Sequence, residues 1–143
     1  MDHVGPIVYL TKRITFSSAH RLHCSKLSAE DNKNIFGKCN NPSGHGHNYT
    51  LEVTLRGPPD PVTGMVINLT DLKQILIQVV DTVDHKFIDE DVPFFIESGK
   101  VSTVENIAIY LFDKIRERLT DRNLLFSVKL HETSDNWVEY RGE

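Results

Sequence analysis

The sequence predicts an α+β fold, with two helices packed on one face of a mainly antiparallel sheet. Three observations carry this. Apolar and polar residues alternate near both ends of the chain, two central segments have a helical period, and the elements follow the order strand, strand, strand, helix, helix, strand, strand. The 143 residues correspond to a single domain, 1–143. A domain of this size removes roughly 68–70% of its unfolded surface from water, enough for a core without covalent staples.

Residues Ile7 to Phe16 alternate, with Val8, Leu10, Ile14 and Phe16 on one side and Tyr9, Thr11, Arg13 and Thr15 on the other, as a half-buried strand requires. The stretch Arg21 to Gly44 is long and polar, with one or two helical turns expected near Ser28 to Phe36; loops of this length are usually functional. A cleaner alternation follows, Tyr49, Leu51, Val53 and Leu55 against Thr50, Glu52, Thr54 and Arg56. The turn formers of Gly57–Gly64 then predict a hairpin to a short strand at Met65-Val66-Ile67. From Leu69 the apolar residues Leu72, Ile75, Leu76, Val79, Val80 and Val83 form a helical stripe, with Asn68 or Thr70 placed to cap it. Ser102-Thr103-Val104-Glu105 fits a capping box that opens a second helix on Val104, Ile107, Ala108, Leu111, Phe112, Ile115 and Leu119. The last strand pair is Phe126, Val128, Leu130 and Trp137 to Tyr140, with Thr133-Ser134-Asp135-Asn136 as its turn.

Composition narrows the function classes. Hydrophobic residues make up 39% and charged residues 25%, ordinary for a globular chain. The net charge of −4, with no Lys/Arg block, argues against nucleic acid as a partner. Two cysteines, Cys24 and Cys39, are too few for a disulfide framework. No apolar run approaches the roughly 20 residues that cross a bilayer, and the N-terminus lacks the pattern of a secretory signal, so the expectation is a soluble, cytoplasmic protein with no membrane partner. Asn48-Tyr49-Thr50 and Asn68-Leu69-Thr70 match the glycosylation triplet, and without export both are chance matches. Seven histidines in so short a chain are unusual.

Three of them converge by parity. His45 and His47 precede the strand at Tyr49 and share the side of Tyr49, Leu51, Val53 and Leu55. In an extended first strand, Phe16, Ser18 and His20 likewise fall on one side, so His20 also points inward. Three neutral imidazoles at a partly buried site form the ligand set of a catalytic Zn2+, which keeps a fourth position for water or substrate. The competing reading has each histidine capping a strand or bonding within a loop. Cys39 lies beside Lys38 and close in sequence to His45; nearby positive charge favours its thiolate, as a base, a nucleophile or a fourth zinc ligand, against the alternative of a buried inert thiol.

Two carboxylates stand out. Asp84-His85 follows the first long helix, where Asp81 and Asp84 put negative charge at the negative end of the macrodipole. That placement suggests either a carboxylate orienting an imidazole for proton transfer or a solvated turn. Glu132 shares parity with Phe126, Val128 and Leu130, so its carboxylate points to the buried side and needs a fixed partner; a ligand with parallel N–H donors suits its two oxygens. His131 has the opposite parity and is expected to be exposed.

The block Cys39-Asn40-Asn41-Pro42-Ser43-Gly44-His45-Gly46-His47-Asn48-Tyr49 resembles the 6-pyruvoyl-tetrahydropterin synthase family. So do Phe16-Ser17-Ser18-Ala19-His20-Arg21-Leu22, Asp84-His85-Lys86, Ser102-Thr103-Val104-Glu105-Asn106 and His131-Glu132-Thr133, spread over nearly the whole chain. The resemblance implies a tunnelling fold, an antiparallel four-stranded sheet with two helices per chain that assembles into trimeric barrels and then a homohexamer, with active sites between subunits. It implies zinc-dependent loss of triphosphate from 7,8-dihydroneopterin triphosphate with internal redox, in tetrahydrobiopterin biosynthesis, with one Zn2+ per subunit and Mg2+ assisting with the triphosphate. By position, His20, His45 and His47 match the zinc ligands, Cys39 the proton-abstracting thiolate, Asp84 and His85 its relay partners, and Glu132 the pterin anchor, also part of the relay. Thr103 matches a pterin contact; the family's frequent second Thr is Val104 here. The alternatives are the related 6-carboxytetrahydropterin synthases of queuosine formation, which leave fewer residues between Cys and His-Gly-His, a zinc hydrolase, and a structural zinc site closed by Cys39. Four protein ligands would favour the structural site, and three plus a water catalysis.

Overall fold

The computed structural model describes residues 5–143. Alternation carries the first strand, β1, through Val8–His20, past the expected end at Phe16, because the partner strand β2, His45–Gly57, stays in register along its entire length. The pairing runs from Val8 opposite Gly57 to His20 opposite His45. Further along the chain come β3, Lys86–Phe87, β4, Leu125–His131, and β5, Trp137–Tyr140. The sheet order is β3-β1-β2-β4-β5.

This sheet corrects the expected antiparallel four-stranded one. It has five strands and is mixed, because β3 pairs parallel to β1 at Ser18 and Ala19 while the other pairs are antiparallel. The chain reaches β3 only after crossing the sheet through a helix, the kind of connection that parallel pairing requires. The expected hairpin strand at Met65–Ile67 is not formed. Strand β2 already has β1 on one side and β4 on the other, so no edge beside it is vacant. The loop folds on itself instead: Asp60 Oδ1 accepts from the N–H groups of Val62 (2.8 Å) and Thr63 (2.9 Å), and Val66 and Ile67 turn onto the core.

Among the described residues there are five α-helices: α1, Ala29–Phe36; α2, Leu69–Val80; α3, Ile88–Asp91; α4, Pro93–Ser98; and α5, Val104–Arg118. Helix α1 fills the turns expected near Ser28, whose side chain caps it. Asn68 caps α2, accepting from Thr70 N–H. That helix ends at Val80, although Val83 in the following turn is still buried. The short α3 and α4 were not expected; Pro93 starts α4 and Gly99, left-handed, ends it. Thr103, not Ser102, is the N-cap of α5, with Oγ1 accepting from Asn106 N–H, so the expected capping box gives way to a single cap. Ser102 is drawn into the interior instead. Among the described residues no helix is long and apolar enough to cross a membrane.

The core lies between the sheet and the two long helices. Phe16, Tyr49, Leu51, Val53, Leu55, Val128 and Leu130 of the sheet meet Leu72, Leu76 and Val79 of α2 and Ile107, Leu111 and Ile115 of α5. The opposite face is polar. There Arg13 donates to Glu52 Oε1 at 2.6 Å and His131 Nε2 lies 3.2 Å from Glu52 Oε2, which holds the Glu52 carboxyl below its usual range. His131, expected to be exposed, is half-buried between Glu52 and Trp137. A register irregularity between Thr54 and Leu55 places an extra residue in β4 and turns Phe126 to this polar face, edge-on to Tyr9. Strand parity for Phe126 therefore fails locally, while Val128 and Leu130 keep it.

Candidate active site

The ends of β1 and β2 bring three imidazoles together. Their pairing sets His20 opposite His45 and Ser18 opposite His47, and the strand pleat points all three histidines to the core side. Gly44 makes the entry to β2 possible. Its φ is +69°, and a Cβ there would sit 2.7 Å from the Phe87 ring and 2.9 Å from the His20 carbonyl oxygen. His20 is 1% exposed, while His45 and His47 open toward solvent.

One ligand atom from each of His20, His45 and His47 lies within 4.8 Å of the others. His20 Nε2 faces His45 Nε2 at 3.1 Å, and among the described residues the buried His47 Nε2 has no hydrogen-bond partner. Ring nitrogens directed at one another, with one orphaned, are a donor set that lacks its acceptor, and a cation supplies it. The charge state also fits. Burial holds His45 and His47 below the usual imidazole range, helped at His45 by His20 and His47 and at His47 by His20, and opposed in both by Glu132, so the neutral form is favoured in both. The triad is consistent with a zinc site. Among the described residues the cluster contains three imidazoles and no thiol, which leaves room for substrate and argues against the structural site closed by Cys39.

Glu132 reaches this cluster from the end of β4. Its Oε2 is 3.9 Å from His20 Nε2 and its Oε1 is 3.9 Å from His47 Nε2, so the carboxylate faces the site as its parity predicted. Asp84 and His85 are in contact, with Oδ1 2.9 Å from Nδ1. Asp84 also accepts from Ser17 N–H at 2.9 Å, which ties the pair to β1. His85 has φ +57°, an uncommon conformation for a residue with a side chain, and its side chain is 82% exposed. It lines a cavity of about 490 Å³ with Ser17, Ala19, His47, Asn48 and Phe87. Cys39 lies on a 3-10 turn, Gly37–Asn40, and its carbonyl accepts from Leu22 N–H at 2.8 Å. Both Cys39 and Cys24 are free thiols. Among the described residues no hydrogen bond joins Cys39 Sγ to the imidazoles or to Asp84 and His85. Thr103 stands at the N-terminus of α5, next to the Ser102 carbonyl that His20 Nδ1 approaches at 2.6 Å.

Against known proteins, a family model described as 6-pyruvoyl tetrahydropterin synthase matches residues 9–143. The chain belongs to this family. It is 52% identical over 138 residues to the 6-pyruvoyl tetrahydrobiopterin synthase of Poecilia reticulata, covering 96% of this chain and 92% of the relative. The Drosophila melanogaster protein of the same name is 51% identical over 138 residues, 96% of this chain and 81% of the relative. The solved Caenorhabditis elegans 6-pyruvoyl tetrahydropterin synthase superposes with a TM-score of 0.93 at 48% identity, over 96% of this chain and 97% of that one. The activity is accordingly that of a 6-pyruvoyl tetrahydropterin synthase, a lyase of tetrahydrobiopterin biosynthesis.

Within this synthase, three further residues adjoin the histidine cluster or its supports in ways the sequence did not predict. Tyr49, anticipated only as an apolar core residue, is 0% exposed, its hydroxyl has no hydrogen-bond partner among the described residues, and its ring lies edge-on to His47. Burial pushes its hydroxyl far above the usual range, with Glu132 and Asp89 adding to the effect, so it stays protonated. Ser102 and Asp89 bond to each other and reach His20 and its neighbour. The unbroken parity from Tyr49 back to His45 marks Tyr49 as a neighbour of the site; Ser102 stands out in the sequence only within the capping box and the segment that resembles the family, and no sequence signal marks Asp89.

Proposed function

We propose that the chain uses this site to convert 7,8-dihydroneopterin triphosphate to 6-pyruvoyl-tetrahydropterin, with loss of triphosphate and internal redox. The cluster of His20, His45 and His47 beside the Glu132 carboxylate is the observation that carries this reading. Those histidines would hold one zinc ion per chain, which, when bound, supplies Lewis-acid polarisation of the hydroxyl-bearing side chain of the substrate.

The remaining steps fall to side chains. Glu132 accepts hydrogen bonds from the amino and ring N–H groups of the pterin, and Thr103 adds a contact, so that the substrate's side chain is directed toward the three histidines that would hold the metal. Cys39, as thiolate, removes a carbon-bound proton, and Asp84 with His85 takes up and returns protons. Electrons leaving the side chain reduce the ring, so no nicotinamide is needed, and triphosphate departs as a good leaving group whose charge a bound Mg2+ would neutralise. Asp84 already holds His85 at hydrogen-bond distance, as a carboxylate that orients an imidazole does. Because Cys39 and this pair are not bonded within one chain, the relay closes between subunits in this reading. The sheet supports such an assembly: β3 covers β1 only at Ser18 and Ala19, and β5 is an edge strand. Open edges favour strand pairing between copies, here into trimeric barrels that pair as a homohexamer.

One continuous core fits a single pterin synthase domain over 1–143. Free thiols at Cys24 and Cys39 suit a reducing compartment such as the cytoplasm. The alternative activity, a 6-carboxytetrahydropterin synthase, would use the same early chemistry and is separated by its product. Purified protein with dihydroneopterin triphosphate and Mg2+ should release triphosphate and give 6-pyruvoyl-tetrahydropterin. A carboxy-pterin product, or no triphosphate release from zinc-loaded protein, would overturn the reading.

A further inference from the structure

His20 is held from behind as well as facing the site. Its Nδ1 lies 2.6 Å from the carbonyl oxygen of Ser102, 82 residues away in sequence. A carbonyl only accepts, so Nδ1 carries the proton and Nε2 keeps its lone pair for the cluster. Ser102 is 0% exposed, and its Oγ donates to Asp89 Oδ1 at 2.7 Å. The other oxygen, Asp89 Oδ2, accepts from the backbone N–H of Arg21 at 2.7 Å, and Arg21 directly follows His20.

These contacts close a ring: His20 to Arg21 through the chain, Arg21 to Asp89, Asp89 to Ser102, and Ser102 back to His20. We propose that Asp89 is a positioning residue for the metal site, fixing the ring orientation and tautomer of His20 through Ser102 and Arg21. This rests on the zinc reading of His20, His45 and His47. The chemistry of the ring selects a carboxylate. Both partners point hydrogens inward, an O–H from Ser102 and an N–H from Arg21, and a carboxylate is a side chain whose two oxygens only accept. The clamp also reaches past the metal ligand. Arg21 Nε donates to the carbonyl of Asn40 at 2.8 Å, so the segment that Asp89 grips also braces the turn carrying Cys39. On its other side Ser102 precedes Thr103, the cap of α5 and the proposed pterin contact. One carboxylate on α3 thereby joins the segments that bear the metal ligand, the thiol and the substrate contact.

Such outer partners of a metal-bound histidine typically change metal affinity by 10–100-fold. The test is zinc affinity of the full-length protein, measured by competition with a chromophoric chelator and paired with thermal unfolding and the visible spectrum of the cobalt(II) form. Asp89→Ala should weaken zinc binding by about 10–100-fold and shift the cobalt bands. Asp89→Asn keeps one acceptor, for the Arg21 N–H, and replaces the other with a donor, so it should weaken zinc binding less than Asp89→Ala without restoring it. Leu76→Ala, a core change remote from the site, should lower Tm and leave zinc affinity where it was. Should Asp89→Ala fail to fold, Ser102→Ala, which removes only the hydroxyl, carries the decision and should also weaken zinc binding. Zinc affinity unchanged in Asp89→Ala, or in Ser102→Ala where the first variant does not fold, overturns the proposal and leaves the clamp a loop brace. Failure of the zinc reading itself looks different: His45→Ala would then bind zinc as well as the unaltered protein does.

Discussion

At the residue scale, what decides each side chain's part is the direction from which it meets the three imidazoles. Glu132 faces His20 and His47 at 3.9 Å, too far for a hydrogen bond, so both its oxygens remain available to a ligand. Glu132→Gln keeps the shape but replaces one acceptor with a donor. Hydrogen bonds to a charged group contribute about 1.5–3 kcal/mol, so kcat/KM should fall by about 10- to 100-fold while zinc content stays that of the unaltered protein. Steady-state kinetics with elemental analysis checks this, and unchanged kcat/KM would remove the anchor role. Cys39→Ala should instead abolish turnover with zinc and substrate binding retained; turnover at the original rate would exclude the thiolate as base. The three histidines and Glu132 were legible because strand parity is a local rule that survives into the fold. Asp89 and Ser102 were not, since their roles depend on segments meeting 68 and 82 residues apart along the chain.

At the scale of elements, the two long helices and the two long strands follow from periodicity because each buries one continuous apolar face. The failures are the elements whose state depends on vacancies elsewhere. Met65–Ile67 has strand-like residues but no free edge to join, and Lys86–Phe87, with no apolar alternation, becomes a strand because Ser18 and Ala19 present one. On the polar face, Glu52 links β1 to β2 and to β4 through Arg13 and His131. Its carboxyl is held low first by the Arg13 hydrogen bond and then by that of His131, so the folded state favours the ionised form. This stabilisation is complete above the unfolded value of about 4.3 and is lost as pH falls through the lower folded value. Arg13 is largely exposed, so solvent limits the contribution to about 1 kcal/mol or less. Glu52→Gln should therefore lower Tm slightly at pH 7, with the difference closing below pH of about 4. Thermal unfolding at both pH values measures it, and a gap that persists in acid would contradict the assignment.

At the scale of the whole molecule, the chain ends its sheet on β5 and on a β1 edge that β3 covers for two residues. Light scattering on the purified protein should give about six chains per particle if those edges pair as barrels do. A monomer with full activity would refute an active site shared between subunits. The pairing of β1 with β2 has a further consequence, for which alignments of the sheet can form the histidine cluster. Strand register has a period of two, so sliding β1 by a single residue against β2 would send His20 to the polar face and leave His45 and His47 behind. The Ser102 carbonyl then has nothing to hold. A metal ion held by all three histidines would therefore report on register: it would bind fully only to a chain with the correct alignment along thirteen residue pairs.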